Sequence, residues 1–479
     1  MNFSRDIVDK APPDRLAILE VASDGHRKEW SFGEVADRSA RLAGTLVARG
    51  VGPRDVVMTV IGNRPEWVLA MVACFRIGAV VLPCNEQLRA KDLKLRVEAA
   101  NPKLIVADQR NAAEVEAGAP GCSVLWVGEI ANDAEAVAAV QLEPTDPCLI
   151  TFTSGTTGEP KGVVHGQRYL PGQRLQAEHW LGAREGDLVW CTAASGWSKS
   201  ARNVFIAPWL RGAAAVLHDA RFDPQERLEI LERENVNVLC MAPTEYRVIA
   251  KRAEIKPLPS VRELVAAGEA LNPEVMRAFQ EATGVQIRDG YGQTETGQLT
   301  ANPAGAQAKP GSMGRALPGV ELLVDDGELV LAHPATDPTF FVSYLDGEPA
   351  PQDEAWHTGD RVTRDDDGYL YFEGRTDDVI ISAGYRIGPF EVESALVSHP
   401  AVAEAAVVAA PDDERGSIVR AVVVLRAGFA PQDDLKAELQ EHVKRETAPY
   451  KYPRIVEFAP ELPKTTSGKI KRAQLRSGA

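Results

Sequence analysis

The chain has 479 residues, beyond the roughly 250–300 at which a single core stops growing, so more than one domain is expected. With 44% hydrophobic and 25% charged residues it has the make-up of a globular protein, which excludes a disordered or fibrous one. A net charge of -15 excludes a nucleic-acid binder that works through overall basicity, so an anionic ligand has to be held by local groups.

No run approaches the roughly 18 apolar residues of a membrane span, and the start, MNFSRDIVDK, lacks the apolar stretch of a signal peptide. A cytoplasmic protein without integral membrane association is expected. The cysteines Cys74, Cys84, Cys122, Cys148, Cys191 and Cys240 show no CxxC spacing, which argues against a disulfide scaffold or a zinc site. They read as small buried apolar groups.

From Asp55 onward, apolar runs alternate with helical patterns. DVVMTVIG is a strand, Pro65 to Ile77 a helix opened by proline, and AVVLPC the next strand. The rhythm recurs in KLIVAD, SVLWVG, CLITFTSG, DLVWCTA, AAAVLHD, VNVLCMA and ELVAAG, and predicts an α/β domain of parallel strands flanked by helices. After Gly311 the segments GVELLVDDGELVLAHP and RDDDGYLYFEGR predict a small, barrel-like antiparallel part. The tail carries a helical pattern from Ile387 to Pro400, strands in AEAAVVAAP and SIVRAVVVLRAG, and a long amphipathic helix from Gln432 to Thr447. That is a compact α+β unit of its own, so the expected division is 1–376 and 377–479, with the boundary at Asp377.

The segment TFTSGTTGEPKG, Thr151 to Gly162, follows a strand and packs glycines, hydroxyls and Lys161 into one loop. Glycines permit close backbone approach, and NH groups with hydroxyls wrap phosphate oxygens. It is not a Walker loop, because Lys161 is preceded by Pro160 and followed by Gly162. Toward the end, Lys444, Arg445, Lys451, Arg454, Lys464, Lys469, Lys471, Arg472 and Arg476 gather positive charge, which by itself reads equally as a solvated basic face.

TSGTTGEPKG resembles the phosphate loop of the adenylate-forming superfamily of acyl-CoA synthetases, luciferases and peptide-synthetase adenylation domains. Further segments match in the family's order along nearly the whole chain: AAGEAL, DGYGQTET, WHTGD, FEGRTDD, SAGYRIGPFEVE and PKTTSGKIKR. The resemblance implies an ATP-dependent carboxylic acid:CoA ligase that forms an acyl-adenylate with release of pyrophosphate, then acyl-CoA and AMP. ATP, Mg²⁺ and coenzyme A are the implied cofactors, and small molecules the implied partners.

It also implies residue roles. Thr153, Ser154, Gly155, Thr156, Thr157 and Lys161 would wrap the phosphates. Gly268, Glu269 and Ala270 with Asp289, Gly290, Tyr291 and Gly292 would form the adenine site, Tyr291 stacking on the base. Thr294 would contact phosphate and Glu295 help hold Mg²⁺, a carboxylate being the hard oxygen ligand that ion prefers. Asp360 would take the ribose hydroxyls and Arg375 ribose or phosphate. Without the resemblance, GD and GRTDD read as hairpin turns.

Lys469 would stand between the acid's carboxylate and the α-phosphate, where a fixed ammonium lowers their repulsion. Ser382, Gly384, Tyr385 and Arg386 would line the pantetheine tunnel, with Arg415, Lys444 and Tyr452 on the CoA nucleotide, as in medium-chain acyl-CoA synthetases. A turn of the small, mobile domain about Asp377 would exchange Lys469 for Gly384.

The acid pocket is expected between Trp197, Ala266, Ala267 and Gly292, and sized for a short- to medium-chain fatty or aromatic acid. One departure stands out: Ser198, Lys199, Ser200 and Arg202 occupy places usually apolar in the medium-chain branch. They are expected to face solvent; the alternative is that one meets a polar acid. Two other functions share the nucleotide motifs. One is an adenylating enzyme that delivers its acyl group to a carrier protein. The other is a silent nucleotide or acyl sensor.

Overall fold

The computed structural model describes residues 1–131, 133–153, 160–268, 271, 273–383, 385–464 and 469–476. Among them the large N-terminal part is α/β, built on a nine-stranded and a seven-stranded sheet, with a four-stranded antiparallel sheet beside them. The C-terminal part is a small α+β unit of a two-stranded hairpin, a three-stranded sheet and packed helices.

The parallel strands are apolar runs because both of their faces are covered. Val80–Cys84 is buried at every residue, as are Val238–Met241 and Glu263–Ala267. The helix Pro65–Ile77 begins with proline at its first turn, where a missing N–H costs nothing, and ends at Gly78 with φ of 72°. Ser31 and Glu34 form a reciprocal capping box that opens Phe32–Ala48.

Residues before Asp55 hold more structure than the sequence pattern suggested. Leu16–Val21 runs parallel to Ala214–His218 and antiparallel to Arg27–Ser31, which extends the nine-stranded sheet to its edge.

At the other side of that sheet, Glu263–Ala267 pairs in parallel with Ile287–Gln293, setting Ala266 beside Asp289 and Ala267 beside Gly290. Ile287–Gln293 then turns back antiparallel on Gly297–Ala301. The turn needs its glycine: a Cβ at Gly292 would stand 1.8 Å from the Gly297 carbonyl oxygen.

The C-terminal unit has its own apolar core, in which Ile380, Ile387, Val392, Leu396, Val407, Val423, Leu439 and Val443 are buried together. Pro389–Ser398 and Asp433–Glu446 pack on the long antiparallel pair Val402–Asp412 and Gly416–Leu425. Across its junction with the larger part, Lys251 Nζ donates to the Ala403 carbonyl at 3.0 Å and the Phe372 ring lies 6.4 Å from that of Phe390. No helix among the described residues is long and apolar enough to cross a membrane.

Candidate active site

Where the strand ends of the large part face the small unit, a cavity of about 1900 Å³ opens. Every described nucleotide candidate borders it: Thr153, Lys161, Gly268, Asp289, Gly290, Tyr291, Gly292, Thr294, Glu295, Asp360 and Arg375. Lys469 enters from the small unit and borders it too. Ser154, Gly155, Thr156, Thr157, Glu269, Ala270 and Gly384 lie outside the described residues.

The glycine-rich loop joins two antiparallel strands, Pro147–Phe152 and Gly162–Gly166. A Walker loop would lead into a helix, so this connection explains the different spacing around Lys161. The loop's base is tied, since Thr153 N donates to the Lys161 carbonyl at 2.9 Å and Lys161 N to Thr153 Oγ1 at 3.0 Å. The Lys161 ammonium lies 4.8 Å over the Tyr344 ring.

GD and GRTDD are not simple turns. Asp360 sits within the strand Trp356–Arg364 and Arg375 at the end of Leu370–Arg375, directly opposite in antiparallel register. Arg375 Nη1 donates to Asp360 Oδ1 at 3.3 Å, and Gln293 Nε2 donates to Asp360 Oδ2 at 2.8 Å. The Tyr291 hydroxyl also donates to Oδ2, which anchors the ring on the cavity wall. Trp356 Nε1 in turn holds Gln293 Oε1 at 3.0 Å. Gln293, Trp356 and Tyr344 are functional neighbours that residue-by-residue reasoning passed over. For Gln293 the signal was available, because it stands inside the YGQTET motif.

Burial governs the carboxyls. It raises Asp360 above the usual carboxylate range, against the opposing pull of Arg375. It likewise raises Glu295, whose carboxylate accepts from the Tyr344 hydroxyl at 3.3 Å. A carboxylate so placed fits Mg²⁺ carried by a triphosphate, an ion that takes one or two protein carboxylates together with substrate oxygens.

Asp289, 6% exposed, is pushed up from 3.8 to about 8 by burial. Its folded pKa thus lies above the unfolded value, so the stability gained by keeping it protonated is complete below about pH 4. It is lost as the pH rises through the folded value, at up to about 1.4 kcal/mol per pH unit. Without ATP, Asp289→Asn is therefore expected to lower Tm less steeply than the unsubstituted protein between about pH 5 and about pH 8. Parallel melting curves across that range would contradict the assignment.

On the acid side Trp197, Ala267 and Gly292 border the cavity. Ala266 does not: successive residues of a strand face opposite sides, and its side chain packs with Leu264 and Phe279 behind the sheet. The solvent expectation for Ser198 to Arg202 is also overturned. Ser198, Lys199 and Arg202 border the cavity, while Ser200 is buried and donates to the Trp197 carbonyl at 2.7 Å. The segment closes onto the cavity as a helical turn leading into Arg202–Ile206, which carries these polar groups inward.

The CoA candidates gather elsewhere, on the small unit. Ser382 and Tyr385 lie opposite each other on the hairpin Ile380–Ser382 and Tyr385–Ile387, with Arg386 next to Tyr385 on the second strand and its side chain outside the described residues. Ala383 N donates to the Arg415 carbonyl at 3.0 Å. Tyr385, 52% exposed, stacks on Tyr450 at 4.3 Å, and Lys444 Nζ lies 4.3 Å over the Tyr452 ring. None of Ser382, Tyr385, Arg415, Lys444 and Tyr452 borders the cavity. Asp377 does, 3.6 Å from Arg375 Nε, while its neighbour Asp378 pairs with Arg472 at 3.7 Å and with Arg476.

Residues 5–335 match the model of the AMP-binding enzyme family, and 391–469 that of the AMP-binding enzyme C-terminal domain. The chain is 40% identical to the mitochondrial acyl-coenzyme A synthetase ACSM4 of Rattus norvegicus, over 99% of this chain and 90% of that protein. The anthranilate CoA ligase AuaEII, solved in complex with anthranoyl-AMP, is 29% identical with a TM-score of 0.88, over 100% of this chain and 97% of that one. MatB from Rhodopseudomonas palustris is 26% identical, over 100% of this chain and 99% of that one, with a TM-score of 0.88 when ATP is bound and 0.78 as the apo protein.

The chain belongs to the AMP-binding enzyme family, within the adenylate-forming superfamily. It is an AMP-forming acyl-CoA ligase, joining a carboxylic acid to coenzyme A with ATP and Mg²⁺.

Proposed function

We propose that this ligase activates a short- to medium-chain fatty or aromatic acid in the cavity between its two parts, and that one site serves both half-reactions through a turn of the small unit about Asp377. The observation that carries the reading is Lys469 bordering the same cavity as Thr294, Glu295 and the Asp360–Arg375 pair.

In the first half-reaction an oxygen of the acid's carboxylate attacks the α-phosphorus of ATP and pyrophosphate leaves. The nucleotide is held by Asp360 on the ribose hydroxyls, Arg375 beside them, Tyr291 against the adenine, and Asp289, Gly290, Gly268, Glu269 and Ala270 around its edge. Thr153, Ser154, Gly155, Thr156, Thr157, Lys161 and Thr294 serve the phosphates. Glu295 would hold Mg²⁺, which neutralises charge on the departing pyrophosphate. The Lys469 ammonium stands between two anions that must meet, and its effect grows as charge develops in the transition state.

In the second half-reaction the CoA thiol attacks the acyl carbonyl and AMP leaves. The thiol needs the space held by Lys469, so the hairpin bearing Ser382, Gly384, Tyr385 and Arg386 replaces it, and Arg415, Lys444 and Tyr452 hold the CoA nucleotide. The exposed stacked tyrosines and the cations over Tyr452 supply the aromatic and basic surface that such a nucleotide recognises. The higher score against ATP-bound than apo MatB supports reading the described arrangement as the adenylating one.

The acid class rests on Trp197, Ala267 and Gly292 at the cavity wall and on relatives whose names span acyl and anthranilate CoA ligases. For compartment we read cytoplasmic, because the six cysteines are all unpaired, as a reducing environment keeps them.

Pyrophosphate release measured with ATP and Mg²⁺, with and without CoA, over acids from acetate through octanoate to benzoate, tests the reading. Acid-dependent release is expected, with thioester only where CoA is present. Release that never yields thioester would leave only the adenylation half standing.

A further inference from the structure

Arg202 is 4% exposed and borders the cavity, while its Nε and Nη1 are closed off from solvent and have no hydrogen-bond partner. No carboxylate among the described residues forms an ion pair with it. Such a guanidinium is costly: a buried charge without a counter-charge is destabilising by several kcal/mol, so it persists where something compensates it.

The Tyr169 hydroxyl accepts a hydrogen bond from Arg202, and the Asp337 carboxylate stands one residue further off, bonded to Thr339 Oγ1. His165 is held neutral, pushed down to about 3 by burial and by the nearby Arg202 charge. The guanidinium lies under the Thr294 to Gly297 turn, with Nη1 3.5 Å from where a Cβ of Gly297 would stand.

Three residues earlier, Lys199 brings a second cation to the same wall. Its ammonium donates to the Ala267 carbonyl at 2.8 Å and lies 2.8 Å from where a Cβ of Gly268, with φ of 100°, would stand. Burial pushes the Asp289 carboxyl up to about 8 against the pull of the Lys199 charge. Gln298, buried on the cavity wall with its Oε1 unpartnered, offers an amide that can turn either edge inward.

An unsubstituted alkyl chain laid against these cations would cost them hydration and offer no counter-charge in return. We infer that the short- to medium-chain or aromatic acid activated here carries a second anionic group, taken up by Arg202 with Lys199 beside it, which narrows the class to dicarboxylic acids activated at one of their two carboxylates. This inference rests on reading the cavity as the acid's pocket. A guanidinium holds a carboxylate by charge-assisted N–H donors, which orients one carboxylate and leaves the other free to attack ATP.

The test compares thioester formation from chain-matched pairs, butyrate with succinate and hexanoate with adipate, by the intact protein, Arg202→Met and Arg202→Lys. In the intact protein the diacid of at least one pair is expected to exceed its monoacid by at least about 10-fold in kcat/KM. Arg202→Met is expected to lower that ratio by about 100-fold, mainly through KM for the diacid, and Arg202→Lys to restore part of it. A preference of the intact protein for the monoacid in both pairs overturns the inference even if the variants fail to fold. So does a ratio unchanged in a folded Arg202→Met. Turnover of monoacids alone leaves the ligase reading intact; no turnover of any acid in either panel overturns both.

Discussion

Lys469→Ala is expected to lower acid-dependent pyrophosphate release by at least about 100-fold while leaving conversion of supplied acyl-adenylate to acyl-CoA within a few-fold of normal. The acid's carboxylate and the α-phosphate are both anionic, and Lys469 borders the cavity in which the proposed reaction brings them together. In the thioester step the nucleophile is a thiol and the leaving group is already joined to the acyl carbon, so no two anions have to be brought together. The two halves should therefore separate cleanly. Equal loss of both in a folded Lys469→Ala would remove the lysine from its assigned role.

Asp377→Pro is expected to do the reverse. Proline fixes φ near about -65° and so restricts the backbone at the one place where the small unit would have to turn. The described arrangement already sets Lys469 on the cavity and leaves Tyr385 outside it, so a chain held there keeps adenylation. Thioester formation, which needs the hairpin at the acyl carbon, should fall by about 100-fold or more, since even a small misplacement of reacting groups costs that much. Normal overall turnover by Asp377→Pro would refute Asp377 as the hinge. The ion pairs that Asp378 makes with Arg472 and Arg476 stay within its own unit and would move with it in such a turn.

The elements most legible in the sequence were those whose signals are local. Pro65 and Gly78 bracket one helix by backbone chemistry alone, and runs such as VVLPC announce strands with both faces covered. Arg27–Ser31 was not legible, because an edge strand of sequence RKEWS has one polar side and gains its identity from pairing with Leu16–Val21.

The site divides in the same manner. The phosphate loop and YGQTET were visible because their glycines and hydroxyls are dense and contiguous. The pairing of Asp360 with Arg375 was hidden, since residues fifteen apart meet only once two strands align, and Gly359 beside Asp360 imitates a turn. Arg202 was misread for a related reason. Charge in a sequence suggests solvent, yet the helical turn after Trp197 carries this charge onto the cavity wall. Ala266 erred by one residue of strand alternation, which no composition can settle.

The most direct test of an acyl-adenylate formed in this cavity follows oxygen. With a substrate acid labelled with ¹⁸O in both carboxylate positions, attack on the α-phosphorus leaves one labelled oxygen bridging to phosphorus, and thiol attack on the acyl carbon expels it with AMP. Mass spectrometry of the products is predicted to show one ¹⁸O in AMP, one in the acyl-CoA and none in pyrophosphate. Unlabelled AMP, or label released in inorganic phosphate alongside ADP, would contradict the adenylate route and with it the roles given to Lys469, Asp360 and Arg375.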